Sequence, residues 1–386
     1  MILSKKSFKI VLILLIFLII VVGASFWIFS EDIFNLNDKT NKTDYKPLFI
    51  NNTNAPDFVT IGESYGESFS FSQGNIIETE KNTISTTEES KNYTFITEYF
   101  LPTLWKALEN YYYPSQYWYN SQAIAIDGKY MYILSSSGYN ENKGFIVRYD
   151  MELLNTYNAN NEKGIWALRK LGLDIYHGNK LTNKQKRLKN AIKIGPVFNT
   201  GHGQSLSINP KTKTLWLWQD DGSGNTLKLM RINNETLKQE KIYEVSAKLN
   251  NNSINSFRNL AFDSEGNFYT DYVKKTERNP NGYVTIFTGN IENDTVKIKP
   301  LLTIQNRPGT YSQSLAVNPS NNRLYLVSDG VFYTLPIEKL RNRTLSPDDF
   351  RYYIFDTSRE FEGVSFDNKG NSYLLVLRGT EVLKSV

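Results

Sequence analysis

Residues 204–218 read Gln204-Ser-Leu-Ser-Ile-Asn209-Pro-Lys-Thr-Lys-Thr-Leu-Trp-Leu-Trp218. Small residues alternate with large apolar ones on either side of an Asn-Pro break. A period of two marks a β-strand, and an Asx side chain starts a tight turn, so this stretch predicts two strands joined by a hairpin. The first half recurs four times: Gln122-Ala-Ile-Ala-Ile-Asp127, Arg258-Asn-Leu-Ala-Phe-Asp263, Gln313-Ser-Leu-Ala-Val-Asn318 and Glu362-Gly-Val-Ser-Phe-Asp367. The steps between copies are 82, 54, 55 and 49 residues. Each copy is followed by a second strand such as Tyr130-Met-Tyr-Ile-Leu or Leu324-Tyr-Leu-Val, and third and fourth strands are visible in most units. Four strands in about 50 residues is the signature of a propeller blade, and five copies predict an all-β, five-bladed β-propeller. Six blades, with one built from residues 55–120, or an open sandwich fit the spacing less well.

The long first step predicts an insertion over about residues 151–190, ahead of a fourth strand at 191–198. The fifth copy has only three strands before Val386, so its missing outer strand is expected from Tyr93–Phe100; such sharing closes the ring without an exposed edge. The Asp-x-x-Gly-Asn segments at Asp263 and Asp367 are expected as hairpin turns rather than calcium loops.

Ahead of the repeats, Lys5, Lys6 and Lys9 precede an apolar run from Ile10 to Phe29. Roughly 20 apolar residues span the ~30 Å hydrocarbon core of a bilayer. The run therefore predicts an N-terminal transmembrane helix over residues 10–29, with the N-terminus inside and the remaining chain at the cell surface. The alternative is a signal peptide cleaved after Val22-Gly23-Ala24, which makes the protein secreted. Residues 1–30 are thus membrane anchor or signal peptide. Residues 31–92, rich in Asn, Thr, Ser and Glu with 11 acidic and 5 basic side chains, are expected to be a disordered extracellular spacer. Residues 93–386 are expected to be the propeller. Leu101, Leu104, Trp105 and Leu108 share a helical face, with Pro102 near its first turn. The aromatics of Tyr111–Tyr119 are expected to pack this helix against the domain.

Composition excludes several chemistries. The chain of 386 residues is 40% hydrophobic, enough for a large core, and has no cysteine, so neither disulfides nor thiolate chemistry is available. With only His177 and His202, a multi-histidine metal site is impossible. No metal and no cofactor are expected.

Inner strands of propeller blades line the central channel. Gln122, Gln204, Arg258, Gln313 and Glu362 are therefore expected to ring one mouth, where polar groups and loops converge on a ligand. Glutamines do not titrate and suit hydrogen bonding to hydroxyls and amides. In Gly201-His202-Gly203 the flanking glycines free the backbone to present His202 at the rim, as a ligand contact. A different signal comes from residues 157–200, with 9 basic and 2 acidic side chains. There Lys184, Lys186 and Arg187 flank a helical apolar face formed by Leu188, Ala191 and Ile192, and form a candidate polyanion-binding patch.

The segment Ile194-Gly-Pro-Val-Phe-Asn-Thr-Gly-His-Gly-Gln-Ser205, followed by Asn209-Pro-Lys-Thr-Lys-Thr-Leu-Trp216, resembles the propeller family of teichoic-acid biosynthesis protein C, the helveticin-like class III bacteriocins and certain staphylococcal phage receptor-binding proteins. The resemblance covers residues 120–386 as a pattern; its specific part is Gly201–Ser205 with Leu215-Trp216. It implies a five-bladed propeller acting on or at Gram-positive surfaces. The membrane anchor and acidic spacer depart from a freely diffusing bacteriocin.

Five-bladed propellers also house carbohydrate-active hydrolases and transferases, which need carboxylates converging on a glycosidic bond. Glu362 is the only acidic member of the ring; Asp220 and Asp221 follow the Trp216/Trp218 strand, and no nucleophile elbow, zinc helix or phosphate loop occurs. The expectation is a surface propeller binding a cell-wall glycan, an anionic teichoic-acid type of polymer, with no nucleic-acid partner. A carbohydrate-active enzyme using Glu362 as its acid is the second reading, and a protein–protein scaffold or bacteriocin-like surface protein the third.

Overall fold

The computed structural model describes residues 48–50, 58–60 and 79–386, with gaps at 89, 106–117, 119, 137–141, 221–226, 250–251, 277–278, 306, 308, 310 and 378. Five separate antiparallel-cored sheets form five blades. Their innermost strands are Ser121–Asp127, Ser207–Asn209, Ala261–Phe262, Ser314–Asn318 and Phe361–Phe366. Each touches the next, and the fifth touches the first, so the ring is closed. The expected residues 10–29 of the anchor lie outside the described residues. Among the described residues no helix is long and apolar enough to cross a membrane.

The alternation that predicts the strands also fills the seams between blades. In the first blade Ile124, Ile126, Met131 and Ile133 face the fifth blade. Their neighbours Ala123, Ala125, Tyr132 and Leu134 face the second. In the second blade Leu215 and Leu217 turn back to the first while Trp216 and Trp218 turn forward to the third. Successive side chains on a strand point to opposite faces, so one alternating strand serves two seams. Further clusters fill the seams between blades three and four and between four and five.

The turns are hairpins. Asp263 accepts the amide N–H groups of Glu265 and Asn267 through Oδ1, and Asp367 does the same for Lys369 and Asn371. Gly266 and Gly370 sit at φ +84° and +85°, a conformation that favours glycine.

Ring closure follows the expected route. Thr94–Phe100 pairs antiparallel with Glu381–Ser385 as the outer strand of the fifth blade. The seam strand is locked from within: Glu381, fully buried, accepts from Arg359 Nη1 at 2.8 Å, from Thr97 Oγ1 and from Asn82 Nδ2 at 3.2 Å.

Two expectations need revision. Residues 31–92, read as a spacer without regular structure, contribute three short strands. Leu48–Ile50 runs parallel to Val245–Ala247 on the outer edge of the second blade, and Phe58–Thr60 parallel to Thr303–Gln305 on the third. Thr83–Ser85 pairs with Thr94–Ile96. Outer strands offer unpaired N–H and C=O groups, and trios of β-forming residues can take them up even though three residues are too few to show a period. Residues 101–105 are not helical. Instead Trp105 stacks on Trp118 with ring centroids 4.8 Å apart and planes 12° apart, against the first-blade core. The rest of that expected helix, and all of the Tyr111–Tyr119 run except Trp118, lie outside the described residues.

The insertion forms three helices, α1 (Met151–Thr156), α2 (Ala167–Tyr176) and α3 (Asn183–Asn190). Asp150 caps α1 through Leu153 N–H, and a Thr182/Gln185 capping box starts α3. Leu154, Leu168, Leu171 and Leu188 cover the seam between the first and fifth blades. Buried Arg169 ties α2 to that seam by donating to the carbonyls of Leu101 and Gly379. The fourth strand returns at Ile192–Ile194 and Phe198–Asn199.

Candidate functional site

The mouth is built where the inner strands begin. Ahead of the second blade, Gly201 and Gly203 adopt φ +66° and +89°. A Cβ on Gly201 would stand 2.4 Å from the Asp220 nitrogen, so only glycine permits this approach. Asp220 Oδ1 in turn accepts the Gly203 N–H at 2.9 Å. The glycines thus serve the aspartate beneath them, and His202 is left exposed on the loop.

Four of the five blade-start residues are buried: Gln122, Gln204, Gln313 and Glu362. Gln122 Nε2 donates to Asn120 Oδ1 at 3.0 Å, within its own blade. Gln204 Nε2 donates to Gln313 Oε1 at 2.7 Å, linking the second and fourth blades. The third blade departs from the pattern. Arg258 is exposed, and its neighbour Asn259, fully buried, takes the inward position. Repeat phase alone misassigned it, because the inner strand of this blade is regular only over Ala261–Phe262.

Behind the amides stand three buried aspartates from consecutive blades, Asp220, Asp271 and Asp329. Asp271 accepts from Asn259 Nδ2 at 3.0 and 3.2 Å and from Ser312 Oγ at 2.5 Å. Asp329 Oδ1 accepts from Gln313 Nε2 at 3.3 Å. Burial pushes all three carboxyls above the usual range, Asp220 to about 6 and Asp329 to about 7. The amide N–H groups of Gly203 and His202 and the charge of Arg258 oppose the rise at Asp220; Arg307 opposes it at Asp271 and Asp329.

Part of this cluster borders a cavity of about 410 Å³. Gln204, Arg258, Asn259, Asp271, Arg307 and Gln313 supply its polar wall, and Tyr272 and Tyr311 its aromatic one. Tyr311 is half exposed, whereas Arg307 is fully buried. Of the residues singled out from sequence, Gln204, Gln313 and Arg258 meet here. His202 stands on the adjoining loop; Gln122 and Glu362 start their strands elsewhere on the ring. Asn259, Asp271, Arg307, Tyr272 and Tyr311 were missed. Asp329 was missed too, although it, like Asp220, directly follows an apolar second strand whose far end must reach the mouth.

Lys184, Lys186 and Arg187 are exposed on α3, which packs on the outer strand Ile192–Ile194. The insertion leaves and rejoins the blade at Asp150 and Ile192. Tyr130 pairs with both Asp127 and Asp150, so this is the end of the sheet opposite Gln122. Three strand spacings, about 14 Å, also separate outer from inner strand. The basic patch is therefore a flank feature rather than part of the mouth.

No protein-family profile matches the chain, and no curated protein matches it. Among solved structures it is similar to the extracellular domain of a B. thetaiotaomicron protein assigned as a hybrid two-component system, at 12% identity and a TM-score of 0.34 over 78% of this chain and 32% of that one. It is similar to a luciferin-regenerating enzyme at 10% identity and a TM-score of 0.33, covering 69% and 72% of the two chains. It is also similar to a protein from Bacteroides uniformis assigned as a 6-phosphogluconolactonase, at 11% identity and 0.34, covering 79% and 77%. The chain spans about a third of the length of the first of these.

Proposed function

We propose that this protein is a cell-surface propeller that binds a wall glycan, an anionic teichoic-acid type of polymer, at the channel mouth. The observation that carries the reading is the cavity itself, which sets two tyrosine rings against amides, a buried carboxylate and two arginines. Aromatic faces suit the apolar faces of sugar rings, amides and carboxylates suit hydroxyls, and the exposed Arg258 suits a phosphate. The exposed cations of α3 provide a second, longer-range attraction for the same polymer. Co-sedimentation of the full chain with Gram-positive wall sacculi, before and after teichoic acid is stripped, tests this. Binding that is lost on stripping and weakened by Gln204→Ala supports the reading; equal failure to bind either preparation overturns it.

One observation favours a second reading, a carbohydrate-active enzyme. Asp271 lines the cavity together with Arg307, Asp329 stands behind Gln313, and burial holds both carboxyls above the usual range against the opposing charge of Arg307. Release of reducing sugar from the bound wall fraction, abolished in Asp271→Asn, distinguishes hydrolysis from binding alone.

A further inference from the structure

Hydrogen bonds at the mouth have a direction imposed from behind. An ionised carboxylate can only accept. When ionised, Asp329 therefore holds Gln313 with an Nε2–H directed backward, as the structure shows, which leaves Gln313 Oε1 forward. That oxygen takes the Nε2–H of Gln204, so the next atom along the chain is Gln204 Oε1, again an acceptor. It is buried, and among the described residues no donor reaches it. Asp271 does the same in the third blade. It accepts from Asn259 Nδ2 and Ser312 Oγ, and Asn259 Oδ1 is left buried with no donor among the described residues. Two separate relays, each anchored on an aspartate, thus end in an orphan acceptor, and both end residues line the same cavity. An unmet buried acceptor is costly, and a donor brought by a ligand recovers that cost.

We infer that Asp329 and Asp271 fix the hydrogen-bond polarity of the mouth, so that it takes its ligand through the ligand's hydroxyl donors, as a sugar or polyol presents them. Phosphate or carboxylate oxygens, being acceptors, find no partner at these two atoms and belong at Arg258 on the rim. This rests on the reading of the mouth as a glycan site. The relay also has a built-in reversal. A protonated Asp329 can donate, which frees Gln313 and Gln204 to turn over and present N–H instead. The groups that set its titration are Glu360, which raises it, and Arg307, Gln313 and the Phe361 N–H, which lower it, against burial as the main cause. Asp271 is opposed by Arg307 and its two hydrogen-bond donors.

The test uses the full chain with native wall sacculi and with the same sacculi acetylated, which masks hydroxyl and amine donors and leaves phosphates in place. Acetylation is expected to weaken binding at least about tenfold, the equivalent of one buried hydrogen bond. Asp329→Asn, whose amide imposes no direction, is expected to weaken binding several-fold and to flatten its pH dependence between about 6 and 8. Equal binding of acetylated and native sacculi overturns the inference while leaving glycan binding intact. Failure to bind native sacculi refutes the glycan reading. The relay is then judged alone, from the side-chain amide signals of Gln204 and Gln313 in glutamine-labelled wild-type protein. Joint titration of both with one midpoint near that of Asp329 supports it, and independence from pH overturns it. The same spectra decide the matter if Asp329→Asn does not fold.

Discussion

Gln204 and Gln313 share a 2.7 Å hydrogen bond across the channel, although they belong to the second and fourth blades and lie 109 residues apart. The third blade does not come between them, since it contributes Asn259 and an outward Arg258 instead. The mouth is thereby asymmetric. The paired amides of the second and fourth blades line the cavity together with Asn259 and Asp271 of the third.

This pairing makes the two glutamines energetically one unit. Gln204→Ala and Gln313→Ala should each weaken wall-glycan binding, and the double variant should lose little more than the worse single one. A double-mutant cycle on the sedimentation isotherms checks this; full additivity would show that the two act separately.

Asp220 sets a pH dependence of stability. Its carboxyl titrates near 3.8 when unfolded and about 6 in the fold, so folding takes up a proton between these values. Stability from this group is therefore full below about 4 and declines as pH rises through about 6. Asp220→Asn keeps an oxygen for the Gly203 N–H and removes the buried charge. Urea titrations at pH 5 and pH 8 should show a smaller difference between the two pH values for the variant than for wild type; an unchanged difference refutes this assignment.

Ring closure rests on Glu381. Arg359→Met leaves this carboxylate buried without its cation and should cost about 3–5 kcal/mol. The loss is expected as a lower denaturant midpoint, accompanied by protease cleavage near residues 79–100 as the closing strand detaches. A midpoint within error of wild type would mean that the seam is held by apolar packing alone.

Gly201→Ala forces a Cβ against the Asp220 backbone at a left-handed φ. A destabilisation of about 1–3 kcal/mol is expected, together with displacement of His202. Calorimetry measures the first, and weaker wall binding at temperatures where the variant is folded reports the second.

On α3, Lys184→Glu with Lys186→Glu should leave the melting temperature nearly unchanged, because both side chains are exposed. Slower association with teichoic acid at low salt, converging with wild type at high salt, would mark the patch as steering. Identical salt profiles would remove it from the binding mechanism.

Much of this architecture is legible in one dimension. Blade number, hairpin turns and the closing strand all follow from local chemistry. Alternation fixes which residues face a seam, Asx and Gly residues fix the turns, and Thr94–Phe100, itself an alternating run, pairs with Glu381–Ser385 in the fifth unit. The blade-start glutamines were legible for the same reason, as the residues that precede each alternating run. Tertiary structure alone decided what those side chains meet. The pairing of Gln204 with Gln313 depends on the curvature of the ring, and Arg258 and Asn259 exchange places because one blade starts its inner strand late. The aspartates of the mouth carry no motif. Asp271 lies within a strand and Asp329 just past the end of one, and only the folding of three blades around one axis buries them together, raises their affinity for protons and turns the amides in front of them.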